Sequence, residues 1–231
     1  MLFSLTPVEA NALLLSLKVA FWAVLCSLPF GVMLAWVLSR LDFPGKSLLD
    51  SLLHLPLVLP PVVIGYLLLV ALGRNGVIGK ILYEQLGISI AFTWKGAAAA
   101  SAVMAFPLLV RTVRLSLDAV DAKLEMAART LGAGPWRVFF TITLPLSTPG
   151  IIAGMVLAFA RSLGEFGATI TFVSNIPGQT QTLPLALHTM TQTPDGEAAA
   201  MRLCFIAVVI ALFALIGANR LEKRFARLFE V

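Results

Sequence analysis

Arg161 and Glu165 stand four residues apart, one helical turn, in a stretch whose other residues are small, hydroxylated or apolar. Ionisable side chains in such a setting either neutralise one another inside the protein or act on something that moves past them, a substrate or a proton. Around them Ser162, Gly164, Gly167, Ala168 and Thr169 permit close helix packing and weak polar contacts. Other candidates are sparse. His54 lies in a proline-rich apolar run and His188 in a more polar one, neither with a second His or Cys at ligand spacing, so no metal site is expected. The seven Met residues are scattered and fit packing better than a soft-metal path. No Gly-rich phosphate loop of the kind that ends in Lys-Ser or Lys-Thr is present, so the chain is not expected to bind ATP itself. An enzyme built on Glu165 and His188 would lack an accompanying nucleophile motif.

These residues must be positioned by helices in a bilayer. Of 231 residues, 59% are hydrophobic and 13% charged, too little polar surface to cover a water-soluble globule of this size. A span needs about 20 mainly apolar residues, so a handful of spans uses roughly half the chain and leaves no room for a large soluble catalytic domain. One integral membrane domain, residues 1–231, is expected. Five charge-poor intervals are candidate spans: Val19 to Ser39, Ser51 to Gly73, Gly96 to Leu115, Pro149 towards Ile170, and Leu203 to Asn219. Pro56, Pro60 and Pro61 should distort the second. The fourth carries Arg161 and Glu165 in its second half, where lipid exposure would be costly. The first 17 residues hold no Lys or Arg and no cleavage pattern follows, so span one is expected to be retained.

The formal charge of +5 is read as an orientation signal rather than as a nucleic-acid footprint. Arg40 and Lys46, then Arg111, Arg114, Lys123, Arg129 and Arg137, then Arg220, Lys223, Arg224 and Arg227 fall after alternate spans. They place the amino terminus outside and the carboxyl terminus inside. Cys26 and Cys204 are too few for a disulfide framework and lie in apolar runs. No repeat and no inverted pair of halves is visible, so a symmetric pore would need a second copy. Phe166 to Pro194, free of charge but broken by Pro177, Gly178 and Pro184, reads as the end of span four plus an external or re-entrant segment.

The connection of about residues 118–149, on the cationic side, has a helix pattern rather than linker composition. Leu124 to Leu131 are good helix formers; Gly132 and Gly134 break the helix; Pro135 starts another that presents Trp136, Val138 and Phe139. A helix, turn and helix at the membrane surface suits two occupants: the groove of another protein, with Ala127 and Ala128 allowing close approach, or the lipid surface itself.

The run Ala127, Ala128, three residues, Gly132, nine residues, then Ile142, Thr143, Leu144 and Pro145 resembles the EAA loop of bacterial ABC importer permeases. The motif's acidic position falls on Met126, with Glu125 one place earlier. Ion pairing through that position therefore depends on where Glu125 points, whereas hydrophobic docking does not. The segments DFPGKSL (Asp42 to Leu48), HLPLVLPPVVIGY (His54 to Tyr66), ARTLGAGPWRVFFTITLP (Ala128 to Pro145) and AFARSLGEFGATITFVSN (Ala158 to Asn175) closely resemble the molybdate ABC permeases.

The resemblance implies an all-α type I ABC importer transmembrane domain of about five spans in the bacterial inner membrane. It implies a homodimer with the pathway at its interface, two cytoplasmic ABC ATPase subunits carrying ATP and Mg, and a periplasmic oxyanion-binding protein. Molybdate is the expected cargo and tungstate a second; the related sulfate and thiosulfate permeases share fold and loop. Glu125, Ala127, Ala128, Gly132 and Pro135 would couple to the ATPase. Arg161, Ser162, Gly164, Glu165, Gly167 and Thr169 would line or support the gate. There Arg161 and Glu165 either pair with each other, or Arg161 attracts the anion while Glu165 holds the gate shut. A dianion loses strong hydration on entering a low-dielectric site, so a transient hydroxyl-lined path serves better than a deep pocket. A gradient-driven carrier with Glu165 as proton relay is the different-class alternative.

Overall fold

A computed structural model describes residues 6–229, apart from the side chains of 218, 219 and 221–229; the expected cations Lys223, Arg224 and Arg227 fall among those side chains and lie outside the description. Among the described residues the regular structure is helical throughout. It comprises α1 (Pro7–Arg40), α2 (Lys46–Val58), α3 (Pro61–Leu72), α4 (Val77–Leu86), α5 (Trp94–Asp118), α6 (Ala122–Thr130), α7 (Pro135–Val138), α8 (Leu144–Leu163), α9 (Gly167–Val173), α10 (Leu183–Thr191) and α11 (Glu197–Phe229). A π-helical turn, Phe139–Thr143, joins α7 to α8. Four stretches are long and apolar enough to cross a membrane: Pro7–Arg40, Trp94–Asp118, Pro135–Leu163 and Glu197–Gly217. The pair α2 and α3, bent by 112°, makes a fifth if counted as one span.

The limits of two spans are corrected, and the expected distortion of a third is found. The first helix does not start after Lys18 but at Pro7, where Thr6 and Glu9 form a reciprocal capping box. Lys18 is accommodated inside it because its ammonium lies 3.9 Å over the Trp94 ring. The distortion expected in span two is a break between Val58 and Pro61, since Pro60 and Pro61 cannot continue the hydrogen-bond ladder of α2. Span four neither begins at Pro149 nor reaches Ile170. Helix runs from Pro135, through the π turn, to Leu163; Gly164 ends it, and α9 is a separate short helix. The expected external segment after span four is largely ordered as α9, a turn and α10, with Thr180, Gln181 and Thr182 buried.

The core sets small side chains beside larger ones such as Leu38, Leu109 and Leu117. Within a membrane no hydrophobic force drives helices together, so close backbone approach must supply the contact energy. α5 lies at the centre, packed on α1 and α8, with Ala97, Ala98, Ala100 and Ala105 buried. At Gly150 of α8 an added Cβ would collide with Ser116, whose hydroxyl donates to the Ser147 carbonyl at 3.1 Å. At Gly154 the same atom would touch Leu109 and Val113. Phe21, Phe30, Met33, Phe205 and Phe213 point outward, as expected of a lipid-facing surface. The α1–α2 link is polar and tight: Gly45 takes a left-handed φ of 91°, and Lys46 donates to Asp42 at 2.9 Å, a hydrogen bond that holds the Asp42 carboxyl below the usual carboxylate range.

The two ends of the bundle are distinct. At one end Glu9 accepts from Arg202 of α11 at 2.9 Å, and Ser16 accepts the Leu183 N–H. At the other, Arg40, Asp50, Arg114 and Asp118 gather around the start of α6.

α9 is seated against the kink of the broken span. A Cβ on Gly65 of α3 would come within 2.6 Å of the Ala168 carbonyl oxygen, and one on Gly167 within 2.8 Å of Pro61. Gly65→Val is therefore expected to separate α3 from α9 and cost roughly 1–3 kcal/mol by overpacking. A lower unfolding temperature of the detergent-solubilised protein measures this; an unchanged one would mean the helices part without penalty.

Candidate coupling loop and gate

The loop after α5 is a helical hairpin. Asp121 caps α6 by accepting the Lys123 N–H, and α6 closes in a left-handed turn at Gly132, φ 85°, where the Ala133 N–H donates to Ala128 and the Gly132 N–H to Arg129. Gly134 precedes the next helix and Pro135 occupies its first turn. The expected breakers Gly132, Gly134 and Pro135 thus stand where the chain reverses.

This hairpin shows one face inward and one outward. Glu125 is the single buried residue of α6, 7% exposed. Its Oε1 accepts from Arg40 Nη2 at 2.8 Å and Nε at 3.1 Å, and from Thr143 Oγ1 at 2.9 Å. Leu124, Met126, Ala127 and Trp136 face out, as does Leu131 with 89% of its surface exposed; Ala128 is half-buried. Glu125 therefore points into the chain, whereas the apolar residues beside it are exposed. Trp136 stacks on Trp36 of α1 with ring centroids 6.0 Å apart, and Phe140 stacks on Trp136 at 6.4 Å, so the hairpin leans on the end of α1 through aromatic faces.

The second cluster lies at the end of α8. Arg161 Nη1 is 2.7 Å from Glu165 Oε2, and the other carboxylate oxygen accepts the Ala168 N–H at 2.8 Å, in the first turn of α9. Both oxygens are occupied, and the Glu165 side chain is 1% exposed. Thr169 is fully buried and donates to Phe166 and Glu165 carbonyls. Ser162 is buried with its hydroxyl unpartnered, Gly167 abuts Pro61, and Gly164 is open. The six residues singled out in the sequence come together, but Ser162, Glu165 and Thr169 face the interior of this chain. They support the turn from α8 into α9 rather than line a channel through one subunit. Of the two arrangements left open for Arg161 and Glu165, the mutual pair is the one formed.

Some participants escaped the sequence reading. Arg40 was legible only as an orientation charge, because its partner lies 85 residues away. The Glu9–Arg202 pair spans 193 residues and gives no local signal, although Thr6 and Glu9 carry the spacing of a capping box. Asp50, His54, Arg111, Arg114 and Asp118 line a cleft of about 430 Å³ at the Arg40 end, with Arg114 3.2 Å from Asp50. His54 contacts Asp50 there, and His188 packs edge-on to Phe166; among the described residues no group of three potential metal ligands occurs.

The Arg161–Glu165 pair sets an asymmetric expectation. Arg161→Ala leaves a fully enclosed carboxylate without its cation and should cost about 3 kcal/mol, whereas Glu165→Gln leaves a guanidinium that is a third exposed and should cost less. Thermal unfolding of the two variants and of the double variant decides: the double should recover part of the Arg161→Ala loss, and strict additivity would argue against pairing.

Comparison with known proteins agrees with this architecture. The molybdenum transport system permease protein ModB of Escherichia coli K12 is 67% identical over 219 residues, 95% of this chain and 96% of that protein. The ModB of Haemophilus influenzae is 62% identical, covering 94% of each chain. The sulfate transport system permease protein CysT of E. coli K12 is 38% identical over 96% of this chain and 79% of its own. Among solved structures, a bacterial ABC transporter that imports the acidic polysaccharide alginate matches with a TM-score of 0.75 at 18% identity, over 95% of this chain and 80% of that one. An amino acid ABC transporter matches with a TM-score of 0.66 at 20% identity, over 94% of both chains. The fold is that of an ABC importer transmembrane domain. Residues 27–227 match the family described as binding-protein-dependent transport system inner membrane component, and the chain belongs to that family of multi-pass membrane permeases.

Proposed function

We propose that this chain is the membrane-spanning subunit of an ATP-driven importer of molybdate, with tungstate as a second cargo. The observation that carries the choice of anion is the contrast between 67% identity to the molybdenum permease and 38% to the sulfate permease of one organism, both aligned over nearly the whole of this chain. Two copies would enclose the path between them, the α8–α9 turn of each being supported from inside its own subunit by Ser162, Glu165 and Thr169. Two ATPase subunits would sit beneath, holding ATP and Mg, and a periplasmic oxyanion-binding protein above. The Arg40 end of the bundle is then cytoplasmic, which sets the amino terminus outside and the carboxyl terminus inside.

In this scheme the hairpin of α6 and α7 is the handle. Leu124, Met126 and Leu131 present apolar surface to a groove in the ATPase, Ala127 lets the backbones approach, and Gly132 and Pro135 hold the turn. ATP binding would close the ATPases, draw the handles together and turn the paired subunits from inward-open to outward-open; hydrolysis would reset them. The gate at the α8–α9 turn needs no strong anion site, because tight binding would trap a dianion. Glu165 has both oxygens engaged, which weighs against a role as a mobile proton relay.

The function is tested in proteoliposomes containing the permease, its ATPase and the binding protein. Radiolabelled molybdate should accumulate only with internal-facing ATP, compete with tungstate and resist excess sulfate; uptake driven by an ion gradient without ATPase would overturn the reading. Leu131→Asp should weaken ATPase co-purification by about 2 kcal/mol, roughly thirtyfold in affinity, as for a central interface residue, while leaving membrane insertion intact. Gly132→Val meets no steric neighbour, but its left-handed backbone costs about 1–3 kcal/mol, and ATP-driven uptake should fall with it. Undiminished uptake in both variants would remove the hairpin from the coupling route.

A further inference from the structure

The inward face of the hairpin has a chemistry of its own. Glu125 is the one fully buried side chain of α6, with Ala128 half-buried, and a nine-residue helix has little stability by itself. Beside its packing against α7 and the π turn, the polar tie of α6 to the helix ends is therefore this carboxylate. That carboxylate is bound by the last residue of α1, through two nitrogens of Arg40, and by Thr143 in the π turn that leads into α8. Arg40 Nη2 also donates to the Leu117 carbonyl at 2.9 Å, in the last turn of α5, and Arg40 Nη1 to Ser39, whose hydroxyl bonds Asp118. The ends of three membrane helices and the handle thus meet at one charged centre.

The π turn contributes to this meeting. In it the Leu144 N–H donates to the Phe139 carbonyl, one residue further back than in an α-helix, and such a turn adds a residue without ending the helix. Thr143, at the end of the turn, is buried with its hydroxyl on Glu125, and Ser147 one turn later donates to the Thr143 carbonyl at 2.7 Å. Charge-assisted hydrogen bonds of this kind are short and directional, so they resist both shear and rotation. A purely apolar contact would let α6 slide.

Resting on the transport reading above, we infer that Arg40, Glu125 and Thr143 form the joint that passes displacement of α6 to α1 and α8, and that Glu125 acts inward on this chain rather than on the ATPase. Arg40 and Thr143 are then positioning residues for transport that sequence pattern alone assigns no role. The joint explains why the acidic residue stands one place before the motif's acidic position. At 125 it faces the bundle, while the next position, Met126, faces out with 57% of its surface exposed.

The experiment uses the assembled permease and ATPase in proteoliposomes with the binding protein, and reads molybdate transported per ATP hydrolysed beside the yield and thermal stability of the complex. Glu125→Gln and Arg40→Gln should lower that ratio by about tenfold, within the range of coupling free energies between sites. Thr143→Val, which removes one hydroxyl and leaves the ion pair, should lower it by about threefold. Thr143→Ser should restore it, and the charge-exchanged pair Arg40→Glu with Glu125→Arg should recover part of what either single change loses. A ratio unchanged in Glu125→Gln overturns the inference, as does loss of uptake strictly in proportion to loss of assembled complex. Should Glu125→Gln fail to assemble, Thr143→Val decides: an unchanged ratio there equally overturns it. Failure of the unaltered complex to import molybdate with ATP would instead refute the transport reading, which separates the two.

Discussion

A carboxylate moved into an apolar bundle must bring its cation with it, because desolvation is worth several kcal/mol per ion and lipid offers no water in return. This single constraint organises the protein. Glu9 meets Arg202, Glu125 meets Arg40, and Glu165 meets Arg161, each at 2.9 Å or less. In all three the acid is the more deeply buried partner, with the arginine's long stem leaving part of its head towards the outside. The pairs do not add much net stability over apolar residues of similar shape. They specify which helix ends lie together. One staples α11 to the start of α1, one sets α6 under the end of α1, and one bends the chain from α8 into α9.

Between these fixed points the bundle is held by small residues set beside larger ones, and this division of labour suits a machine that must move. Ala and Gly on α1, α5 and α8 bring backbones close, with Leu109 of α5 seated against Gly31 and Gly154. The broken span α2–α3 gives an edge at which α9 is seated, through Gly65 and Gly167. A helical stretch from Pro135 to Leu163 links the α6–α7 hairpin to the Arg161–Glu165 turn at its far end, interrupted by the π turn and by Pro149, whose ring nitrogen donates no hydrogen bond to the ladder.

How much of this was legible in the sequence depended on how local the physics is. The hairpin was readable because Gly132, Gly134 and Pro135 act within a few residues of themselves, through backbone geometry. The Arg161–Glu165 pair was readable because its spacing equals one helical turn. A charge marks no helix limit once something covers it. Lys18, expected just before the first span, sits inside α1 because an aromatic ring 76 residues later covers it, whereas Arg161, expected within span four, lies inside α8 beside Glu165. The long-range pairs Arg40–Glu125 and Glu9–Arg202 were invisible, since neither separation carries any periodic signal.

The displaced acid of the coupling loop shows how position on a helix sorts roles. A step of one residue along α6 rotates a side chain by about 100°, enough to carry a carboxylate from an outward face to an inward one. At 126 an acid would stand among Leu124, Ala127 and Leu131, where a partner's groove would have to supply a cation. At 125 it stands under α1, where Arg40 already supplies one. The sequence keeps an apolar residue on the outside and a charge on the inside, so the exposed face is defined by shape and apolar area while the orientation of α6 within the subunit rests on the ion pair. The two faces then tolerate change independently: the outer one can be reshaped without releasing α6 from the ends of α1 and the π turn.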